Sequence, residues 1–448
     1  MRAVVYRGAN DLRLETVPVP PIQSDELLVK VAACGVCPTD IKKIQYGTVP
    51  PPRIFGHETA GTIVRIGARV KKFREGDRVA LHHHVPCLDC HACRHRAFAQ
   101  CAQYKRTGIT AGFEPAGGGY AEYVRVMSFV LPGVVRIPSR NTFLEGAMLE
   151  PVNTVLKAIH RLALLRGDFV LVTGQGPIGL MFTRLLALRG MNVVATDLLP
   201  ARLELAKKFG ARWTFGAHDG DASALSASQS PLPMNLVAAD VRRLMTPNPK
   251  SEIRNPKSMR ASSRRLLRSR GSRREIFRGN LPSPGGERAG RGAHSFQSAI
   301  HRGFDAAIVT APGDPAVRQA QELVRGGGQV LLFAHTRREN KTQLDLSVVC
   351  VDEKDLIGSY SSDVTLQGEA ARLVFGRKLD ARELITHCFP LEQTAEAVQL
   401  AARPSPESLK IVVTQGDQEV ASQPERGRAA SKVRQVSSLP RTGRLVSR

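Results

Sequence analysis

The chain has 448 residues, more than one hydrophobic core usually serves, so two domains are expected. An apolar fraction of 42% and a charged fraction of 23% are those of ordinary globular proteins, which excludes a collagen-like, mucin-like or wholly disordered chain. No window reaches the roughly 18 uninterrupted apolar residues of a membrane span. The start, Met1-Arg2-Ala3-Val4-Val5-Tyr6-Arg7, does not have the pattern of a secretory signal, so the cytoplasm is the expected compartment. The net charge of +24 raises the question of nucleic acid. Its distribution answers against it. Residues 246–296 hold 13 Lys/Arg against 3 Asp/Glu, and residues 416–448 hold 7 against 3, so 14 of the 24 charges sit in two short stretches.

In chain order, the first 150 residues predict many short strands, at Arg2–Tyr6, Glu26–Ala33, Glu58–Ile66 and Arg78–Leu81, separated by Pro- and Gly-rich turns. A loop-rich lobe follows near 85–115. From residue 151 the pattern changes to strands alternating with helices. Strands are expected at Phe169–Thr173, Val193–Thr196, Arg212–Phe215, Asp305–Thr310 and Gln329–Phe333. Helices are expected at Pro177–Arg189, Ala201–Phe209 and Pro315–Val324. Such alternation means parallel βαβ units in a doubly wound sheet. The last part holds helical stretches near Gly368–Gly376 and Leu391–Ala402 and a strand at Lys410–Val413. Between the two halves of the alternating region, Asn248-Pro249-Lys250-Ser251 recurs as Asn255-Pro256-Lys257-Ser258 in a Ser/Arg/Gly-rich setting. This composition buries too little apolar surface to offset chain entropy. Residues 246–296 therefore read as a disordered insertion and 416–448 as a disordered tail. A nucleic-acid arm is disfavoured because no aromatic side chains are interleaved for base stacking.

Eight cysteines are present, and in a cytoplasmic chain their clustering favours metal over disulfides. Cys87, Cys90, Cys93 and Cys101 put four thiols within 15 residues. Four sulfur ligands close a tetrahedral zinc shell, which makes the site structural. A second group is Cys37 in Gly35-Val36-Cys37-Pro38-Thr39-Asp40, with His57 and Glu58 in Gly56-His57-Glu58, and Glu150 further on. Three protein ligands with a fourth position open are what catalytic zinc needs. Read alone, one Cys and one His 20 residues apart are weak evidence for a metal and are better read as a buried thiol and a satisfied histidine.

Gly174-Gln175-Gly176-Pro177-Ile178-Gly179 directly follows a predicted strand and opens a predicted helix, the context that gives a GxGxxG pattern meaning. Gly174 permits the turn, Gly176 lets a pyrophosphate approach, Gly179 allows helix-on-strand packing, and the helix N-terminus, at Pro177 and Ile178, offers its dipole to phosphate. Asp197 ends the next strand, where a carboxylate accepts ribose hydroxyls and repels a 2′-phosphate. NAD is thus favoured over NADP, although Arg202 could turn towards a phosphate. Thr310, Ala311 and Phe333 follow the later strands and are expected to line the nicotinamide end.

These motifs, in this order and with Gly76-Asp77-Arg78-Val79 and Glu150-Pro151 between them, resemble the zinc-dependent medium-chain alcohol dehydrogenase family, most closely its sorbitol and threonine (polyol) dehydrogenase branch. The resemblance covers about 1–245 and 297–415. It implies an α/β fold: a GroES-like β-rich catalytic domain at 1–151, returning at 361–415, and a Rossmann domain with a doubly wound parallel sheet at 152–360, interrupted by the insertion. It implies that Cys37 and His57 ligate catalytic zinc, with Glu58 or Glu150 as the further carboxylate. Thr39 would hydrogen-bond the substrate oxygen and start the proton's path outward, and the four-cysteine lobe would hold a second zinc. The implied reaction moves hydride between a secondary alcohol (a polyol, sugar alcohol or hydroxy amino acid) and NAD, in a homodimer or homotetramer. Two residues depart from the family pattern. Pro38 stands where most relatives carry Gly, and Lys42 where many carry a relay histidine. The alternatives are a zinc-free quinone or enoyl reductase of the same fold, and a non-catalytic basic nucleic-acid-binding protein on this scaffold.

Overall fold

The structure is a computed structural model that describes residues 1–82, 85–105, 117–216, 302–311, 313–334, 341–403 and 405–415. The basic stretch 246–296 and the tail 416–448 lie outside the described residues.

Sixteen strands are described: β1 (Arg2–Gly8), β2 (Asp11–Thr16), β3 (Leu27–Gly35), β4 (Arg53–Ile54), β5 (Glu58–Ile66), β6 (Arg78–Leu81), β7 (Tyr123–Val126), β8 (Val135–Arg136), β9 (Phe169–Thr173), β10 (Asn192–Asp197), β11 (Trp213–Gly216), β12 (Phe304–Val309), β13 (Val324–Leu332), β14 (Asp355–Gly358), β15 (Ile385–Pro390) and β16 (Lys410–Thr414). They form three sheets, and two of these position the site.

The central sheet has the order β11-β10-β9-β12-β13-β14, and every pair in it is parallel. Its strands are apolar on both faces, as a sheet covered on both sides requires. Val170, Val172, Ala306 and Ile308 pack into one cluster with the helices Leu149–Ile159 and Pro177–Leu188. Phe169, Leu171, Ala307 and Val309 pack into another with the helix Asp314–Leu323. The strand order reverses between β9 and β12, the switch point outside which a doubly wound sheet binds its ligand.

The second sheet runs β15-β16-β3-β5-β6-β8, with β7 also on β3, and encloses its own core of Val29, Ile63, Tyr120, Val124 and their neighbours. It is built from both ends of the chain, because β16 pairs antiparallel with β3 while β3 pairs with β5.

Most of the predicted ends shift by a residue or two, β13 shifts further, and one helix was not predicted. β13 begins at Val324 rather than Gln329, since Phe304 pairs Val324 across an irregularity before the regular register resumes at Ala306–Gln329. The helix Leu149–Ile159 runs through residue 151, where the first domain was expected to end. Nine of its eleven residues are buried, so it packs between the two sheets.

Candidate active site

Cys37 follows the end of β3 and caps the helix Pro38–Tyr46. Its extended backbone (φ −101°, ψ 140°) lets the sulfur accept a hydrogen bond from the Thr39 backbone N–H at 3.5 Å, and Pro38 fits the first helical position, where no N–H is needed. His57 immediately precedes β5, and Glu58 is its first residue. Gly35 of β3 is in register with Glu58, so the antiparallel pairing folds the loop between them back on itself and brings Cys37 against His57. The Cys37 sulfur, a His57 ring nitrogen and a Glu58 carboxylate oxygen lie within 4.8 Å of one another. A half-buried cysteine sulfur converging with a buried imidazole and a buried carboxylate fits a zinc ion with one position left open.

Asp40, which the sequence marks with no role of its own, is fully buried, and its Oδ1 lies 3.2 Å from His57 Nδ1. The imidazole therefore donates from Nδ1 to Asp40, which fixes the ring's orientation beside Cys37, as the partners of metal-binding histidines do. Burial opposes a charge on His57, but Asp40 and Cys37 outweigh it and raise the imidazole's pKa well above its ordinary value. Asp40 was visible in the Cys37 motif; only the distance to His57 gives it a function.

Lys410 was also missed. It opens β16, is 5% exposed, donates to the Val36 carbonyl at 2.9 Å and forms an ion pair with Glu58 Oε2. Gly35 makes room for this pair, because a Cβ there would overlap Glu58 Oε2 and stand 2.9 Å from Lys410 Cε. The sequence signal was a single lysine opening an otherwise apolar strand.

Glu150, in the first turn of Leu149–Ile159, is buried and is not one of the 4.8 Å group. Its Oε1 accepts from the Thr154 hydroxyl at 3.3 Å. Burial raises its pKa to about 7, with His57 and Lys410 acting against burial and Glu58 with it.

The cysteine lobe passes a stricter metric test. Cys87, Cys90, Cys93 and Cys101 bring their sulfurs within 4.8 Å of one another, with pairs at 3.9, 3.5 and 3.7 Å. Sulfurs at about 2.3 Å from a tetrahedral zinc are about 3.8 Å apart, so the cage has the right size. Backbone N–H groups of Asp89 and Cys90 point at the Cys87 sulfur and lower its pKa to about 6.

The Gly174–Gly179 turn sits at the C-terminal end of β9. Gly174 has φ +84°, and a Cβ on Gly179 would overlap the Gly174 carbonyl oxygen, so the helix Pro177–Leu188 can approach the strand only without one. Gly176 caps that helix and Pro177 is its first residue. Ile178 packs on the core beneath. Asp197 ties the turn to β10: Oδ2 accepts from the Gln175 N–H at 2.5 Å and Oδ1 from the Leu199 N–H at 2.8 Å. Arg202 is turned to the chain before β16, donating to the carbonyls of Ser405 and Ser408 at 3.4 and 3.3 Å, and lies 4.0 Å from Asp197. Thr310 donates its hydroxyl to the Thr173 and Gly174 carbonyls at 2.7 and 2.8 Å, and Ala311 lies beside Gly174. The Phe333 ring packs edge-on against Phe182 at 5.1 Å.

A cysteine cage, a thiolate–imidazole–carboxylate pocket and a dinucleotide-type turn on a doubly wound sheet now stand in one chain. The family model for the alcohol dehydrogenase GroES-like domain matches residues 23–138. Sorbitol dehydrogenase of Bacillus subtilis (strain 168) is 27% identical over 419 residues, covering 92% of this chain and 97% of that enzyme. Sorbitol dehydrogenase of Bombyx mori is 32% identical over 215 residues, 47% of this chain; the aligned stretch spans 60% of that enzyme. A zinc-binding dehydrogenase of Sinorhizobium meliloti 1021, solved with NADP, superposes with a TM-score of 0.68 at 21% identity, covering 92% of this chain and 98% of its own. Along nearly its whole length the chain is similar to zinc-dependent medium-chain dehydrogenases that act on polyols, and it is an oxidoreductase whose residues 23–138 form an alcohol dehydrogenase GroES-like domain. No helix among the described residues is long and apolar enough to cross a membrane.

Proposed function

We propose that this protein oxidises a secondary alcohol of the polyol class with NAD⁺, reversibly, using one catalytic and one structural zinc per subunit. The observation that carries this reading is the convergence of Cys37, His57 and Glu58, with His57 oriented by Asp40. Cys37, His57 and Glu58 would hold the catalytic metal, with Glu150 as the neighbouring carboxyl, and Cys87, Cys90, Cys93 and Cys101 would hold the structural one. Zinc, when bound, supplies a Lewis acid that brings a hydroxyl's pKa down towards neutrality.

The chain's own groups do the rest. Asp40 keeps the His57 Nδ1 proton in place, and Lys410, paired with Glu58, keeps its carboxylate aimed. Thr39, at the start of its helix beside Cys37, would accept the hydroxyl proton while releasing its own outward to water. The turn at Gly174, Gly176 and Gly179 binds the pyrophosphate at a helix N-terminus, locked from behind by Thr310. Asp197 at the end of β10 supports NAD over NADP, and Arg202, held by Ser405 and Ser408, is not turned outward to a phosphate. In this reading 1–151 and 361–415 form the catalytic unit and 152–360 the cofactor unit. Free clustered thiols fit a reducing compartment, the cytoplasm. A homodimer or homotetramer is supported by β14, the last strand of the central sheet among the described residues, with Leu346 and Val351 exposed just before it. The test is a panel of polyols, sugars, hydroxy acids and simple secondary alcohols assayed for NAD⁺ reduction with and without chelator. Turnover of polyols that chelator abolishes is expected. Turnover of quinones or enoyl substrates by zinc-free protein would replace this reading by the reductase one.

A further inference from the structure

The cysteine lobe carries two histidines that the four-cysteine cage does not use. Its short helix, His91–Arg94, starts after Cys90 and ends at His95, whose N–H donates to the His91 carbonyl at 3.2 Å. At about 100° per residue, Cys90 and Cys93 fall on one side of that turn, and His91 and His95 lie about 40° apart on another. The sulfurs of Cys90 and Cys93 are 3.5 Å apart in the cage, and Cys93 is buried. His91 and His95 are exposed, and their ring centroids are 4.5 Å apart with the planes at 54°, so the rings converge without stacking face to face. Two imidazoles on one ion have centroids about 4.5–5.2 Å apart, because each nitrogen is about 2.0–2.1 Å from the metal, the ring centre about 1.2 Å further, and the angle at the metal about 90–110°. The observed separation falls within that range. Among the described residues neither imidazole has a hydrogen bond or an ion pair, so none of them competes for the ring nitrogens. Of the neighbouring cations, Arg94 is paired with Asp89 at 3.0 Å. Four thiolates around one divalent ion give the cage a net charge of about −2, which offsets Arg96.

We propose that His91 and His95 form a second metal site on this lobe, an exposed and exchangeable one for zinc or another divalent cation that prefers imidazole nitrogen. Imidazole suits zinc, copper and nickel, whereas magnesium and calcium take oxygen ligands. The i, i+4 spacing is the one with which a helix presents two histidines to zinc on one face. Two protein ligands leave the remaining positions to water, so this ion exchanges, unlike one closed in by four sulfurs. An ion held from both ends of the turn also ties down a helix too short to stand on its own hydrogen bonds. The site is separate from Cys37, His57 and Glu58, and it does not depend on the reaction proposed above.

The experiment is a zinc titration of the untagged full chain by equilibrium dialysis, begun once the zinc that survives gel filtration has been counted. It is repeated in His91→Ala, in His95→Ala and in the double variant. Zinc is the probe because it displaces no different metal from the other sites. One further equivalent is expected to bind to the parent and to be removed by a second gel filtration. Either single variant should weaken it by about 100-fold or more, the avidity lost when two linked ligands become one, and the double variant should abolish it. Both side chains are exposed, so the zinc retained through gel filtration and the NADH affinity should match the parent in all three variants. Calcium in place of zinc should not bind at this position. The inference is overturned if the parent takes up no further equivalent, if that equivalent persists unweakened in both single variants, or if calcium fills it equally well. NAD⁺ reduction is not read in this experiment, so the alcohol reading stands or falls separately.

Discussion

Replacing Lys410 by Met tests the electrostatics of the site at its most buried point. Lys410 and Glu58 are 5% and 1% exposed, and the ammonium also donates to Val36. Methionine fills the same volume but leaves the Glu58 carboxylate without its counter-charge, in the company of Glu150 and Asp40. Breaking a buried pair on one side costs about 3–5 kcal/mol. At a urea slope near 3 kcal/mol per M, that is a midpoint roughly 1–2 M lower. Both proteins should be compared after stripping with chelator, so that a cation bound at Glu58 does not supply the missing charge. Two further variants sharpen the test. Glu58→Gln alone strands the lysine and should also destabilise, whereas Glu58→Gln with Lys410→Met removes both charges and should recover most of the loss. A Lys410→Met protein within about 1 kcal/mol of the parent, or a double variant no better than the single one, would refute the claim that these two groups are each other's counter-charge.

Other outcomes follow from single contacts. Asp40→Asn should weaken zinc binding at the Cys37–His57–Glu58 site by about 10–100-fold, read by competition with a chromophoric chelator, with the four-cysteine site unaffected. Gly179→Ala pushes the helix Pro177–Leu188 off the Gly174 carbonyl, and overpacking of about 1–3 kcal/mol predicts NADH affinity lower by roughly 10–100-fold in a fluorescence titration. Thr310→Val removes the hydroxyl that holds the carbonyls of Thr173 and Gly174 and should lower NADH affinity by a few-fold, about 1 kcal/mol. The Glu26–Arg125 pair sets a pH dependence. Burial of Glu26 works to raise its pKa, but Arg125 at 2.7 and 2.8 Å and the Gln23 N–H outweigh it, so the folded pKa lies below the unfolded one. The stability it contributes is therefore fully present above the unfolded value of about 4.3 and lost as pH falls through the folded pKa. Arg125→Met should cost about 1–3 kcal/mol at pH 7, with the gap to the parent closing in acid.

Much of this fold is legible because local patterns decide it. β5 and β9 are apolar runs bounded by turn residues, and their observed ends, Glu58–Ile66 and Phe169–Thr173, are those of the pattern. The cysteine cage is legible for the same reason, since its four ligands lie within 15 residues and need no distant partner. Legibility fails where a residue's meaning depends on something far along the chain. Asp40 acquires a function only through His57, brought over by the pairing of β3 with β5, and Lys410 only through Glu58, more than 350 residues away. Tyr104 and Ser361 are joined across 257 residues, and neither belongs to a recognisable motif. Thr310 was expected at the nicotinamide end; its hydroxyl faces back to the glycine turn, because the parallel pairing of β12 with β9 sets it beside Thr173 and Gly174. The helix Leu149–Ile159 was not foreseen, since Glu150-Pro151 near its start obscures an apolar stripe that buries nine residues.

The central claim is that a cation gripped by Cys37, His57 and Glu58 activates an alcohol beside a dinucleotide held at Gly174–Gly179. The most direct measurement is NAD⁺ reduction by Cys37→Ser with the best polyol of the panel, paired with an NADH titration of the same preparation. The account predicts turnover lost by at least about 10³-fold, on the scale of removing a principal electrostatic stabiliser, with NADH affinity within about twofold of the parent. A variant that keeps the parent kcat would contradict it.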